Sequence, residues 1–158
     1  MIRPDTSLWA FSVSFYQHSN VEALCLRLQD QRAINVNWLL WALWLDKIRQ
    51  ISDFAVWERG VSKTRRWHSA IVVPLRRLRR CLPKLGFWGA CRTRLLEWEL
   101  WAEKRELTIL ERSSLNSIPT NHGRDREASS LFLNHLLGDL NGEKARVLEL
   151  FDQWSQVG

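Results

Sequence analysis

The chain has 158 residues, a length typical of one domain that is large enough to bury a hydrophobic core. Hydrophobic residues make up 46% of it and charged residues 25%, as in an ordinary globular protein. The formal net charge is +6, and the longest apolar run, Trp38 to Leu45, has eight residues. A membrane-spanning helix needs about twenty, so the composition excludes a chain that crosses a membrane in this way.

Helix is the regular secondary structure that the sequence predicts. Glycine and proline are scarce, at seven and four residues, whereas leucine, arginine, glutamate and alanine are abundant, and this composition favours helices. No long segment alternates as a strand does. The sequence therefore predicts an all-α protein, a single compact domain over residues 1–158, with about seven helices around a central apolar helix at 35–50.

Two helices are predicted before that central helix. Capping residues precede an apolar face that contains Phe11 and Phe15, which indicates a first helix near the start of the chain. Ser19 followed by Glu22 has the pattern of a capping box and predicts a second helix over about 20–32.

The segment 35–50 is predicted to be the buried centre of the fold. Trp38, Trp41 and Trp44 repeat every three residues, and leucines fill the other directions. Because a helix that is apolar almost all round must be covered on every side, we interpret these tryptophans as core residues.

Each buried indole N–H in that core also needs a hydrogen-bond acceptor. Polar residues beside the central helix are predicted to supply it, and such a polar cluster is also how a ligand pocket is built. The second functional hypothesis is therefore a small-molecule or lipid-binding helical protein, possibly an enzyme, with a pocket near the Trp38–Trp44 helix. The residues of this alternative pocket are Gln29, Asp30, Asn35, Asn37 and Trp41.

Two helical stretches are predicted between residues 52 and 83. A short helix through Phe54 and Trp57 should end at Gly60, and a second runs from about Trp67 to Leu82. Pro74 lies inside the second and should kink or restart it, because proline removes one backbone donor. The apolar stripe of this second helix consists of Trp67, Ile71, Leu75, Leu78 and Leu82.

The remainder of the chain is predicted to hold one long helix and two shorter ones. The long helix covers about 90–110 and carries alternating acidic and basic residues. Turn-forming residues over 113–126 predict a flexible loop. The two shorter helices follow at about 127–137 and 142–156.

A basic segment lies between Glu58 and Glu97. It contains eleven lysines and arginines and no acidic residue, whereas the rest of the chain has a net charge of −5. Such a segment must face an acidic partner or be neutralised by acidic helices of the same protein. The internal candidates lie on the next helix and are Glu97, Glu99, Glu103 and Glu106.

The primary functional hypothesis is non-catalytic binding, as an adaptor that engages an acidic protein surface or RNA through a basic helical face opposite the apolar stripe. Peripheral contact with an anionic membrane is a further possible use of the same face. The residues of the basic face are Lys63, Arg65, Arg66, Trp67, Arg76, Arg77, Arg79, Arg80 and Lys84.

Catalysis has little support in the sequence. The four histidines have no metal-ligand spacing, and no phosphate-binding glycine loop is present, so we expect no catalytic residue, cofactor or metal. The three cysteines are odd in number and widely spaced, which is typical of a reduced, cytoplasmic protein. The sequence does not determine the oligomeric state.

Four motifs occur in order along the first two thirds of the chain. They are an L-W-x-F pattern at Leu8, C-L-R-L-Q-D at Cys25 to Asp30, V-N-W-L-L-W-A-L-W-L at Val36 to Leu45, and V-V-P-L-R-R-L-R-R at Val72 to Arg80. Together they resemble a family of small helical proteobacterial proteins classed as a domain of unknown function. The resemblance covers roughly residues 7–110. It implies a bacterial cytosolic protein with an all-helical fold, and it implies no activity and no site residues.

Overall fold

The structure is a computed structural model, which describes residues 7–48, 54–114 and 127–157. Within these ranges the regular secondary structure is helical, as predicted. The elements are α1 (Leu8–Tyr16), α2 (Val21–Arg32), α3 (Val36–Lys47), α4 (Phe54–Trp67), a π-helical turn (His68–Val72), α5 (Val73–Cys81), α6 (Phe87–Ser114), α7 (Glu127–Leu137) and α8 (Asn141–Val157). Because α4, the π turn and α5 follow one another without a break, the described residues form seven continuous helical segments.

Helix α3 is the centre of the core, which confirms the prediction from its sequence. It contacts α1, α2, α6 and α7, and both Trp41 and Trp44 are fully buried. The ring of Trp41 stacks on Trp57 of α4 at 4.9 Å, and Trp57 stacks in turn on Phe132 of α7 at 4.7 Å. Three stacked rings thus join the central helix to two of its neighbours, a geometry that aromatic pairs favour.

The predicted end of a short helix at Gly60 is wrong, because α4 continues to Trp67. Gly60 lies against the flat ring of Trp41, and a Cβ atom added at this position would lie 2.4 Å from Cη2 of that ring. The glycine therefore leaves room for the Trp41 ring against α4 and does not terminate the helix.

The start of α2 also differs from the prediction. The capping box of Ser19 and Glu22 does not form. Instead, Asn20 is the N-cap in the left-handed conformation, with a φ of 69°, and makes no side-chain capping bond. By contrast, the Asn35 side chain caps α3 by accepting a hydrogen bond of 2.9 Å from the backbone N–H of Asn37.

The π turn explains how a helix passes through Pro74. Proline has no N–H, and its ring collides with the carbonyl four residues earlier in a regular α-helix. The preceding turn widens, so that the N–H of Val73 donates to the carbonyl of His68, and Pro74 becomes one of the first residues of α5. The sequence predicted a kink or a restart at Pro74, and the structure has a π turn there within a helical segment that continues without a break.

Helix α6 is longer than predicted at both ends. It begins at Phe87, and it includes Ser113 and Ser114, which the sequence assigned to a flexible loop. The rest of that loop, 115–126, lies outside the described residues, as does the end of the predicted central helix at 49–50. No helix in the described ranges combines the length and the apolar character needed to cross a membrane.

A basic and aromatic surface on α6 and a cleft beside it

Helix α5 turns two of its arginines toward the protein. Nε of Arg76 donates to Glu99 at 2.9 Å, a second N–H of Arg76 donates to Glu103, and Arg79 donates twice to Glu99. Leu78, predicted to lie in the apolar stripe, is 53% exposed. The predicted division of α5 into an apolar side and an opposite basic side is therefore wrong, because the carboxylates of α6 attract the arginines inward.

These ion pairs perturb the two carboxylates in opposite directions. Burial raises the pKa of Glu99, but hydrogen bonds from Arg79 and Arg76 outweigh it and hold that pKa below its usual value. Burial also raises the pKa of Glu103, and Arg76 does not fully offset this effect, so its pKa stays above the usual value. Part of the predicted basic face is thus neutralised within the protein.

The other carboxylates proposed for neutralisation have different partners. Glu97 accepts a hydrogen bond from Arg94 on the surface of α6. Glu106 is completely buried and accepts hydrogen bonds from the side-chain amides of Asn35 at 2.7 Å and Asn37 at 3.0 Å. Nδ1 of His68, in the π turn, lies 3.0 Å from the same carboxylate. Glu106 therefore joins α3, the π turn and α6 from the inside.

The acceptors of the Trp38 and Trp41 indoles are hydroxyl groups, which corrects the prediction for these two residues. Trp38 donates to Oγ1 of Thr64 at 3.0 Å, and Trp41 donates to Oγ of Ser114 at 2.7 Å. The asparagines expected to serve the indoles bind Glu106 instead.

The remaining members of the predicted basic face lie at the surface. Arg80 pairs with Asp30 at 2.7 Å, and because both side chains are about 40% exposed this pair contributes little stability. Trp67 is half-buried, donates its indole N–H to the Ala102 carbonyl at 3.0 Å, and packs against Trp101 with ring centroids 5.8 Å apart. The exposed residues for which the described part of the chain offers no ion-pair partner are Lys63, Arg65, Arg66, Arg77 and Lys84.

A second exposed set was missed by the sequence reasoning. Six residues of α6 are separated by 7, 4, 3, 4 and 7 positions, so they share one side of the helix. All six are exposed, the aromatic rings among them by 58% to 77%, and none is acidic. We call them the α6 stripe: Phe87, Arg94, Trp98, Trp101, Arg105 and Arg112.

The signal for this stripe lay in the spacing of the glutamates of α6. Glu99, Glu103 and Glu106 are four and three positions apart and therefore share the side of α6 that faces α5 and α3. Helices α5 and α3 cover that side of α6. Trp98 and Trp101 lie on another side of the helix and are exposed. Counting acidic and basic residues along the chain did not reveal this arrangement.

A cleft of about 500 Å³ lies between α1, α2, α3, α5 and α6. Of the residues predicted for the alternative pocket, Gln29, Asn35 and Asn37 line it, whereas Asp30 and Trp41 do not. The lining also includes Tyr16 of α1. The cleft therefore adjoins the start of the central helix and not its tryptophan rings.

Cys25 of α2 is buried in the core. Burial raises the pKa of the Cys25 thiol to about 11, which keeps it protonated and unreactive at neutral pH. Within the described ranges, no group of three or more His, Cys, Asp or Glu side chains is placed to hold a metal ion.

The comparisons with known proteins identify one family, which is of unknown function. No curated protein and no solved structure matches the chain. Residues 7–110, which include α1 to α5 and most of α6, match the family described as "Protein of unknown function (DUF2390)". With about two thirds of its length matched, the chain belongs to this family of unknown function.

Proposed function

We propose that the protein is a non-catalytic binding protein that engages an acidic protein partner through the α6 stripe. The observation that carries this proposal is the exposure of three aromatic rings and three arginines on one side of the longest helix. Exposed aromatic groups of this size are unfavourable in water unless a partner covers them.

The chemistry of the stripe indicates the kind of partner. Tryptophan and arginine are the residue types most enriched at the energetic centres of protein interfaces. Trp98 and Trp101 present apolar area, while Arg94 and Arg105 lie one helical turn beyond them on either side. A partner with an apolar groove flanked by aspartate or glutamate would complement both features.

Residues of α4 extend this surface. Trp67 contacts Trp101, so the C-terminal end of α4 lies beside the stripe. Lys63 and Arg66 are exposed in the last turns of α4 and add positive charge there. By contrast, Arg76 and Arg79 are bonded to α6 and are not part of the proposed interface.

The geometry favours a protein over RNA as the acidic partner. Anchors at i, i+3 or i+4, and i+7 along one helix are the pattern of a helix that binds in the groove of another protein. Proteins that bind single-stranded nucleic acid instead combine a positively charged groove with stacking aromatics. The α6 stripe, by contrast, lies along one side of a single helix.

A binding experiment with two double variants tests the proposal. Immobilised protein captures partners from cell lysate, and each captured protein is then purified and titrated against the wild type, W98S/W101S and R94S/R105S. We expect the tryptophan variant to bind at least thirtyfold more weakly, since hot-spot truncations cost about 2 kcal/mol or more. The arginine variant should also bind more weakly than the wild type. The difference in affinity should be largest at low salt, where charges are least screened.

The matched control is R32S/R146S, which removes the same charge from exposed positions on α2 and α8. It should bind as the wild type does. Capture that disappears with nuclease would contradict the proposal in favour of RNA. Capture that all variants retain would exclude the α6 stripe as the interface.

A further inference from the structure

The cleft between α1, α2, α3, α5 and α6 has the form of a small-molecule site. Its volume of about 500 Å³ lies within the range of ligand pockets. Four apolar side chains of its lining remain between 41% and 47% exposed. They are Val13, Leu26, Leu96 and Leu100. Apolar groups from three helices thus converge on the same opening, where a ligand would cover all four.

The cleft also contains a small polar group of residues. Arg76 and Arg79 bind Glu99, and Arg76 also binds one oxygen of Glu103. Among the described residues, no hydrogen-bond donor reaches the other oxygen of Glu103, whose side chain is 23% exposed. This oxygen is a free acceptor in a mostly apolar cleft.

The charges around that acceptor favour a cation. The charged residues that line the cleft are Glu22, Glu99, Glu103, Arg76 and Arg79, so that acidic groups exceed basic ones by one. Both arginines already donate to these carboxylates. An anionic ligand would have to break these pairs to reach a guanidinium, whereas an ammonium group could donate to Glu103 and leave them intact.

We propose that this cleft binds a monocationic amphiphile, with its ammonium group at Glu103 and its apolar body against the exposed leucines. This goes beyond the protein-binding proposal and does not depend on it. The raised pKa of Glu103 agrees with this assignment. Burial and the nearby carboxylates of Glu99 and Glu106 disfavour its ionised form, and a ligand cation would relieve both effects.

Tyr16 contributes a neutral side chain to the cleft. Burial raises the pKa of its phenol well above the usual value, so it remains neutral at physiological pH.

Three probes with the same nine-carbon chain test the proposal by calorimetric titration at pH 7, below their micellar concentrations. They are nonylammonium, nonanol and nonanoate. We expect saturable one-to-one binding of nonylammonium, at least about tenfold tighter than nonanoate, because one charged hydrogen bond contributes roughly 1.5–3 kcal/mol. Nonanoate binding that is equal or tighter would overturn the proposal, as would the absence of saturable binding.

Variants locate the site on the full-length protein. Glu103→Gln keeps an acceptor for Arg76 but removes the negative charge, and it should weaken nonylammonium binding about tenfold. Glu97→Gln makes the same charge change on an exposed part of α6 outside the cleft and should leave binding unchanged. Equal effects of the two substitutions would overturn the assignment.

A second variant keeps the test valid if Glu103→Gln alters the fold. Leu100→Arg places a positive charge at the opening on a side chain that is already 47% exposed. It should abolish nonylammonium binding and relatively favour nonanoate, while its melting temperature stays near that of the wild type. Unchanged nonylammonium binding in a folded Leu100→Arg protein would exclude this cleft.

Discussion

The contact between Gly60 of α4 and the Trp41 ring of α3 depends on the absence of a Cβ atom at position 60. The Trp41 ring cannot move away from Gly60, because it is stacked on Trp57 and its indole N–H donates to Ser114. The absence of a side chain at Gly60 is therefore necessary for α4 to pack against the Trp41 ring of α3, although glycine weakens a helix by about 1 kcal/mol relative to alanine.

Gly60→Ala tests this contact at the residue scale. Although alanine favours helix, the added methyl group would overlap the Trp41 ring, and overpacking of a core costs about 1–3 kcal/mol. We expect a lower free energy of unfolding by urea denaturation. Gly142→Ala is the control, since no atom lies within 4 Å of its added Cβ, and it should leave stability unchanged or raise it by less than about 1 kcal/mol. Equal stability of the two variants would contradict the contact.

Glu106 is the second residue whose removal should affect the whole fold. Glu106→Ala leaves two buried asparagine amides and His68 without their acceptor, and each unsatisfied buried group costs about 1–3 kcal/mol. We therefore expect the melting temperature of Glu106→Ala to be far below that of Glu106→Gln, which keeps one oxygen acceptor. The exposed control Glu97→Ala should change stability by less than about 0.5 kcal/mol. A Glu106→Ala protein as stable as that control would mean that the amides find other partners.

At the scale of elements, α5 is held by charge and not by an apolar side. None of its residues is buried, and Arg76 and Arg79 bind the carboxylates of α6. The stability of this helix pair should consequently depend on pH through Glu99. Its folded pKa lies below the unfolded value of about 4.3, so its contribution is complete above that value and is lost as the pH falls through the folded pKa.

Glu99→Gln tests this dependence. At pH 7 the variant should be roughly 2 kcal/mol less stable than the wild type, because a charged hydrogen-bond acceptor for both arginines is weakened. This difference should shrink below about pH 4.3, where the wild-type carboxyl also becomes protonated. Urea unfolding between pH 7 and pH 3 measures it, and a difference that stays constant over this range would contradict the role of the ion pairs.

Glu103 should behave in the opposite way. Its folded pKa is raised, so its ionised form opposes folding at neutral pH, and that cost disappears as the pH falls through the folded value. Glu103→Gln should accordingly be less destabilising at pH 7 than Glu99→Gln in the same urea series. The reverse order would show that the bond to Arg76 dominates at Glu103.

Some helices could be predicted from their own local sequence, and others could not. The all-apolar pattern of α3 predicted its burial, and the turn residues predicted α7 at its observed bounds, because local composition decides both. The passage of α4 through Gly60 depends on Trp41, nineteen positions earlier, and the rotation of α5 depends on carboxylates of α6. Such contacts between distant residues leave no local pattern.

The same limit applies to the candidate site. The arginines of α5 had the strongest local charge signal, yet α6 neutralises two of them. Trp98 and Trp101 look like core residues by type, and only the placement of α5 and α4 on the other sides of α6 leaves them exposed. Asparagine and glutamine positions beside α3 did indicate a cleft, because polar side chains near an apolar helix need space or partners.

At the scale of the whole molecule, the positive charge has two separate locations. Arg76 and Arg79 of α5 stabilise the contact with α6 and line the cleft, while the positive charge of α4 and α6 stays at the surface beside exposed rings. A protein surface with this combination of arginine and tryptophan is suited to an acidic protein partner. The central claim is therefore that the α6 stripe is an interface.

Site-specific photocrosslinking in cells tests that claim most directly. A photoreactive benzoylphenylalanine replaces Trp98 in one protein and Arg146, exposed on α8, in the control. We expect the probe at position 98, and not at position 146, to crosslink one predominant protein through a peptide rich in aspartate or glutamate. Crosslinking to RNA alone, or identical products from both positions, would contradict the account.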